Sequence, residues 1–290
     1  MKFRDRNGNE WEKNGLQDKV LGILYQSSYG RMLLRPLLCP FVSKIGGALL
    51  DMKWSTCFIL PFIKKNQIPM EQYEPTTYQS YNDFFTRKIK KEARPINTDE
   101  NVLISPSDGK VSVYPIEENG TFCIKHTKYT VESLTKSKKI AKHYKGGTIV
   151  ILRLTVDDYH RYCYPAAGKK SRNYTIKGQF HTVNPIANDY YPIYKENTRE
   201  FTLLKTEKFG TILQMEVGAL MVGKISNYVG KATVKRGEEK GRFEFGGSTV
   251  VLLLEKDKVA IDDELFINTK EGYETVVRMG EKIGTCIEKQ

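Results

Sequence analysis

The chain has little of what metal and disulfide chemistry requires. It holds four histidines in 290 residues, and neither a Cys-x-x-Cys nor a His-Glu-x-x-His spacing occurs. Zinc sites are recognised by such spacings, so no metal site is expected. The five cysteines (Cys39, Cys57, Cys123, Cys163 and Cys286) are odd in number and scattered without paired spacing. That is the pattern of reduced thiols in the cytosol rather than a disulfide framework. No window reaches the roughly 18 uncharged apolar residues of a membrane-crossing helix, so none is expected. The stretch Met1-Lys2-Phe3-Arg4-Asp5-Arg6 is charged, with no apolar core behind it, and does not read as a secretory signal. Linkers, low-complexity tracts and internal repeats are lacking as well. Acidic residues are outnumbered: Lys and Arg total 46 against 34 Asp and Glu, a net charge of +12. Such an excess points to a polyanionic partner, either nucleic acid or an anionic membrane surface. With no zinc-finger spacing, aromatic-rich basic motif or helix-turn-helix signature, nucleic acid is not expected.

What is present suits an enzyme-sized globular chain. Apolar residues make up 40% and charged residues 28%, enough for a core and a wet surface, in one large domain or two small ones. The first third reads as helical. Leu16 to Gly30 and Met32 to Ile63 are rich in Leu, Ile, Phe and Met, and Pro36, Pro40 and Pro61 cut the pattern into short helices. From Arg31 to Lys65 the basic residues are Arg31, Arg35, Lys44, Lys53, Lys64 and Lys65, against Asp51 alone. A basic amphipathic segment of this kind suits a membrane interface, or a helix packed on its own domain through the same apolar face. From about Val102 the character changes. Alternation over Gly147 to Leu154, Glu200 to Lys205 and Thr211 to Val217 reads as strands. Thr130 reads as the cap of a short helix. The expected fold is α+β: a helical N-terminal part, 1–95, packed on a mostly antiparallel β domain of barrel or sandwich type, 96–290.

Chemistry concentrates in three islands. Gly246-Gly247-Ser248-Thr249 lies between Phe243-Glu244-Phe245 and the apolar run Val250 to Leu254. Two glycines in such a pattern mark a sharp bend or a close backbone approach. A hydroxyl just after the bend can reach the carbonyl carbon of the preceding residue. Alone, the tetrapeptide is more often an ordinary strand bend. The second island is Ser105-Pro106-Ser107-Asp108-Gly109-Lys110-Val111, and the third is Leu152 to Arg161, ending Asp157-Asp158-Tyr159-His160-Arg161. Together they offer Asp108, His160 and Ser248, the parts of a nucleophile, its base and the group that orients the base. Taken singly, His160 reads as a structural histidine and Asp108-Gly109 as a turn dipeptide. The basic run Lys235-Arg236 and Lys240-Arg242 reads as a solvated face that could meet a phosphate.

From about Trp54 to Gly284 the sequence resembles the phosphatidylserine decarboxylase family, in its shorter bacterial branch. The resemblance rests on Asp83-Phe84-Phe85-Thr86-Arg87, Arg94-Pro95, Pro106-Ser107-Asp108-Gly109 and Asp158-Tyr159-His160-Arg161. It continues through Val183-Asn184-Pro185, Asn197-Thr198-Arg199, Val217-Gly218-Ala219-Leu220-Met221-Val222-Gly223 and Gly246-Gly247-Ser248-Thr249. It implies a self-cleaving proenzyme. Ser248 attacks the Gly247 carbonyl with His160 as base and Asp108 as orienting carboxylate. The products are a β chain of residues 1–247 and an α chain of residues 248–290. Ser248 becomes a pyruvoyl group, which forms a Schiff base with the substrate amine and acts as electron sink, without PLP or metal. The implied partners are phosphatidylserine in an anionic membrane and the enzyme's own two chains as a heterodimer, with a homodimer left open. The implied location is peripheral, on the cytoplasmic face of the cell membrane. Where the family often carries a second histidine, three residues after His160, this chain has Cys163; Cys163 and His181 are therefore auxiliary candidates. Two alternatives stand beside this reading: a non-enzymatic β-barrel carrier or phosphotransfer module, and a decarboxylase of another phosphoserine-headgroup lipid.

Overall fold

The alternating segments form the strands they predict. A computed structural model describes residues 1–13, 15–38, 40–124, 126–188, 190–219, 224–228, 232–244 and 248–287. Strands Arg199–Lys205, Thr211–Val217, Ser248–Leu254, Thr148–Leu154 and Gly109–Pro115 lie side by side in that order, each antiparallel to the next. Tyr273–Val277 extends the sheet, followed by Lys2–Arg4 in parallel pairing and Glu10–Glu12 at the edge. Ser248–Leu254 is thus a central strand, paired through all its length with Thr148–Leu154 on one side. Its seven residues are all buried, as a strand covered on both faces should be. The sheet is open, and the molecule is a sandwich rather than a closed barrel.

Two apolar cores lie on its two faces. On one face Ile149, Ile151, Met215, Val217, Val251 and Leu253 meet Leu21, Tyr25 and Leu34 of the N-terminal helices, together with Leu134, Ile193 and Tyr194. On the other face Leu152, Leu154, Val250 and Leu252 meet Tyr162 and Phe243 of a small antiparallel sheet, Ile225–Asn227, Glu239–Phe243 and Arg161–Cys163. Leu103, Val259, Ile261 and Ile283, from a second three-stranded sheet, complete that layer. Period-two alternation sends neighbouring residues of one strand to opposite cores.

Short helices form in the N-terminal region as expected, but of the three prolines only Pro40 stands at a boundary. Pro36 lies in the last turn of one helix, and Pro61 lies in the first turn of another, where a missing N–H is tolerated. Helices run over Leu16–Gln26, Ser28–Leu37, Pro40–Asp51 and Ile59–Asn66, followed by the short Tyr81–Phe85. Pro40 opens its helix, where a missing N–H costs nothing. The Thr130 cap forms: its side chain accepts the Ser133 N–H at 2.9 Å, at the start of Val131–Thr135. Asp108-Gly109 is not a turn, because Gly109 begins a strand. A Cβ there would stand 3.1 Å from the Arg153 carbonyl oxygen, so glycine lets the two strands approach.

Candidate active site

The site forms where the central strand of the large sheet begins under the small one. Ser248 is the first residue of its strand and pairs with Leu154. Its alternation partner is Val250, so its side chain faces the small sheet. Arg161–Cys163 belongs to that sheet, and the His160 carbonyl accepts the Phe243 N–H at 2.9 Å. These two pairings bring the candidate nucleophile and the candidate base together. The Ser248 hydroxyl lies 3.4 Å from His160 Nδ1, both residues being buried.

The other ring nitrogen fixes the tautomer. His160 Nε2 is 3.1 Å from the Thr155 carbonyl oxygen. A carbonyl only accepts, so Nε2 carries the proton and Nδ1 presents its lone pair to Ser248. Asp158 holds Thr155 in turn, through its backbone N–H at 2.6 Å and its hydroxyl at 2.9 Å. Lys110 clamps the same carboxylate at 2.6 Å. Phe85 covers the imidazole, with ring centroids 4.0 Å apart and planes 29° from parallel. Burial lowers the His160 pKa to about 3. Asp158 opposes that shift and the Arg87 charge adds to it. The imidazole is therefore the free base at neutral pH.

Asp108 sits elsewhere. Its carboxylate takes a two-pronged contact from Arg94, 2.7 Å to Nε and 2.6 Å to Nη2, and accepts the Met279 N–H at 2.9 Å. Among the described residues no hydrogen bond joins it to His160. The Thr155 carbonyl occupies the position at which a triad carboxylate would orient the ring. Cys163 is buried, and burial pushes its thiol up to about 12. It stays protonated at neutral pH and cannot serve as a base there. His181 lies near the N-terminal helices instead. Tyr191 stacks on it at 4.4 Å, Gln179 contacts Nε2 at 3.0 Å, and the Tyr25 hydroxyl lies 3.4 Å from Nδ1. Burial lowers its pKa to about 4. Gly246 and Gly247 lie outside the described residues, as do Leu220 to Gly223 of the Val217–Gly223 motif.

Sequence reasoning missed several groups. Thr155 and Lys110 sit inside quoted islands, but only the fold aims them at Asp158. The basic run is not uniformly solvated: Lys240 is fully buried and pairs with Glu216 at 2.5 Å, with Asn227 bridging both. Glu216 faces Val250 across the sheet, diagonal to Ser248. No short-range pattern signals a lysine destined for a core. Among the described residues no group of three His, Cys, Asp or Glu side chains is placed to hold a metal ion.

A buried serine at a strand start, beside a neutral histidine of fixed tautomer in a β-sandwich, is the arrangement that activation of a serine hydroxyl requires. The phosphatidylserine decarboxylase family model matches residues 81–285. A phosphatidylserine decarboxylase proenzyme 2 of Clostridium acetobutylicum is 45% identical over 273 residues, covering 94% of this chain and 92% of the relative. A phosphatidylserine decarboxylase proenzyme of Fusobacterium nucleatum is 41% identical, covering 92% and 93%. One from Clostridium botulinum is 40% identical, covering 99% of each. This chain belongs to the phosphatidylserine decarboxylase family.

Proposed function

We propose that the enzyme decarboxylates phosphatidylserine to phosphatidylethanolamine and CO2, after cleaving itself between Gly247 and Ser248. The observation that carries the reading is the buried Ser248 hydroxyl against the unprotonated Nδ1 of His160. A serine hydroxyl needs such a base to become a nucleophile. As Oγ attacks the Gly247 carbonyl carbon, Nδ1 takes its proton. The amide C–N bond breaks, nitrogen regains a proton, and an ester replaces the peptide. Loss of the Ser248 Cα proton and scission of the Cβ–O bond release the upstream chain as a Gly247 carboxylate. Water then removes the nitrogen of the dehydroalanine as ammonia and leaves a pyruvoyl group at position 248.

The surrounding residues fit that group. Strand pairing at Ser248 to Leu154 and at Thr249 to Val217 would hold the new chain end in place. The group would supply a conjugated carbonyl that accepts the electron pair released with CO2. His160 stays beside it as a proton carrier at Nδ1, held by Thr155, with Phe85 excluding water from one ring face.

A lipid substrate calls for a membrane-facing surface. Ile23, Tyr29, Met32, Leu33, Leu49, Trp54, Phe58 and Leu60 are all exposed, Tyr29 at 80% and Leu60 at 68%. Lys53, Lys64 and Lys65 stand exposed in the same segment. Exposed apolar and basic residues sharing one segment suit peripheral docking on anionic lipid. No helix among the described residues is long and apolar enough to cross a membrane. We place the enzyme on the cytoplasmic face of the cell membrane.

Intact mass of the purified protein tests the reading. Two chains are expected, the smaller beginning at 248 with a blocked, carbonyl-bearing end. Ser248→Ala is expected to remain whole and inactive. A fully active enzyme that stays one 290-residue chain would refute self-cleavage.

A further inference from the structure

Among the described residues Arg87 is a buried cation with no carboxylate paired to it. Arg87, Arg153, Arg161 and Arg199 are deeply buried. Arg153 forks onto Glu274, and Arg161 pairs with Glu239 at 2.7 Å. Arg199 spends three N–H groups on the carbonyls of Leu134, Asn197 and Ser133. Arg87, only 2% exposed, has a phenol at 3.2 Å (Tyr73), a carbonyl at 3.4 Å (Phe84), and a buried Nε with no partner. Among the described residues no carboxylate lies within ion-pair distance of it. Its guanidinium rests over the rings of Tyr73 at 4.3 Å and Phe84 at 4.7 Å. Aromatic faces hold a cation in place but leave its N–H fork unspent. Taking a charge out of water costs several kcal/mol unless an anion answers it.

The position says which anion. The helix Tyr81–Phe85, just before Arg87, packs on one side against Ile59, Phe62 and Ile63, residues of the helix that also carries the exposed Leu60, Lys64 and Lys65. On the other side Phe85 stacks on His160. Arg87, whose guanidinium rests over Phe84 of that helix, therefore stands next to both the helical segment proposed to meet lipid and the residue stacked on His160. In a phospholipid the phosphodiester occupies that place, between the glycerol and the amine-bearing headgroup. We propose that Arg87 is the phosphodiester-binding residue of the headgroup site; this rests on the decarboxylase reading.

The chemistry favours phosphate over carboxylate. Decarboxylation drains negative charge from the carboxylate in the transition state. An arginine on that group would stabilise the substrate more than the transition state and slow the reaction. The phosphodiester keeps its charge throughout. A cation there binds substrate and transition state equally, which lowers KM without changing kcat.

The test uses Arg87→Met and Arg87→Lys, with CO2 release from phosphatidylserine in detergent mixed micelles. Phosphoethanolamine, which has the phosphate and amine but no carboxylate, is titrated by calorimetry. Both variants are expected to be cleaved normally. Arg87→Met is expected to raise KM by about 10–100-fold, the size of one lost charge-assisted contact. Its kcat is expected to stay within about twofold, the mark of uniform binding. Phosphoethanolamine binding is expected to weaken in parallel, and Arg87→Lys to fall between. An unchanged KM would overturn the proposal. So would a raised KM with unchanged phosphoethanolamine binding, which would move Arg87 to the carboxylate. Failure of both variants to be cleaved would assign Arg87 to the fold and also overturn it. A wild-type chain that binds phosphoethanolamine through Arg87 yet releases no CO2 would refute the decarboxylase reading and leave the anion site standing.

Discussion

Burial holds the His160 imidazole neutral, with its pKa lowered to about 3, and the Thr155 carbonyl decides which nitrogen is free. Two predictions follow from that environment. His160→Ala removes the proton acceptor beside the Ser248 hydroxyl, and cleavage is expected to slow by about 10²–10⁴. Cys163→Ala is expected to cleave normally, because a thiol pushed up to about 12 is not ionised at neutral pH. Following cleavage by mass and CO2 release separately in the two variants checks both. Cleavage in the wild type is also expected to be independent of pH from about 5 upward, and to fail only as pH drops towards 3. The linkage has one sign: the folded pKa lies below the unfolded value of about 6.5, so the folded chain binds fewer protons. The stability contributed by burying neutral His160 is complete above about pH 6.5 and is lost as pH falls towards 3. A cleavage rate that halves between pH 7 and 6 would contradict this. At this scale the sequence disclosed Ser248 and His160, because each sits in a compact local motif. It did not disclose what orients His160. That depends on where Asp158 and Lys110 meet, and on Asp108 being occupied by Arg94 and the Met279 N–H.

Elements were legible where the pattern is local. Alternation located Thr148–Leu154, Arg199–Lys205 and Thr211–Val217 to within a residue, because each buries its faces against strands of the same kind. Of the prolines only Pro40 marks a helix boundary; Pro36 and Pro61 sit in a last and a first turn, so the remaining breaks were not legible from them. The strands Lys2–Arg4 and Glu10–Glu12 were not legible. Each has three residues and is charged. They form because Tyr273–Val277, at the far end of the sequence, offers a free sheet edge. The helices from Ser28 to Asn66 carry the prediction that belongs to this scale. Sedimentation with anionic vesicles is expected to exceed that with neutral ones and to fall with added salt, since charge attraction is screened within about 8 Å at physiological ionic strength. Replacing Trp54 and Leu60, both exposed, with Glu is expected to abolish binding while leaving self-cleavage intact. Equal binding to both vesicle types at all salt concentrations would remove the electrostatic part.

Across the whole molecule, the proposed cleavage before Ser248 would cut the chain but not the sheet. Residues 248–290 supply the central strand Ser248–Leu254, hydrogen-bonded on one side to Thr148–Leu154 and on the other to Thr211–Val217. They also supply Tyr273–Val277, which pairs with Gly109–Pro115 and with Lys2–Arg4. Val250 and Leu252 belong to one core, Val251 and Leu253 to the other. Each buried aliphatic side chain contributes about 1.5–3 kcal/mol, so removing this strand would open both cores at once. Ion pairs add further ties from the N-terminal segment, Arg6 to Asp262 at 2.6 Å and Arg4 to Glu271 at 2.8 Å. Removing one peptide bond touches none of these contacts. The two chains are therefore expected to co-elute on size exclusion at the mass of the uncleaved protein, and to separate only in denaturant. Their unfolding is expected to be a single transition, because neither chain retains a complete core alone. Measuring elution and urea unfolding of cleaved wild type beside uncleaved Ser248→Ala tests this. Release of the smaller chain from the cleaved protein in native buffer would show that the scissile bond, rather than the sheet, holds the two parts together.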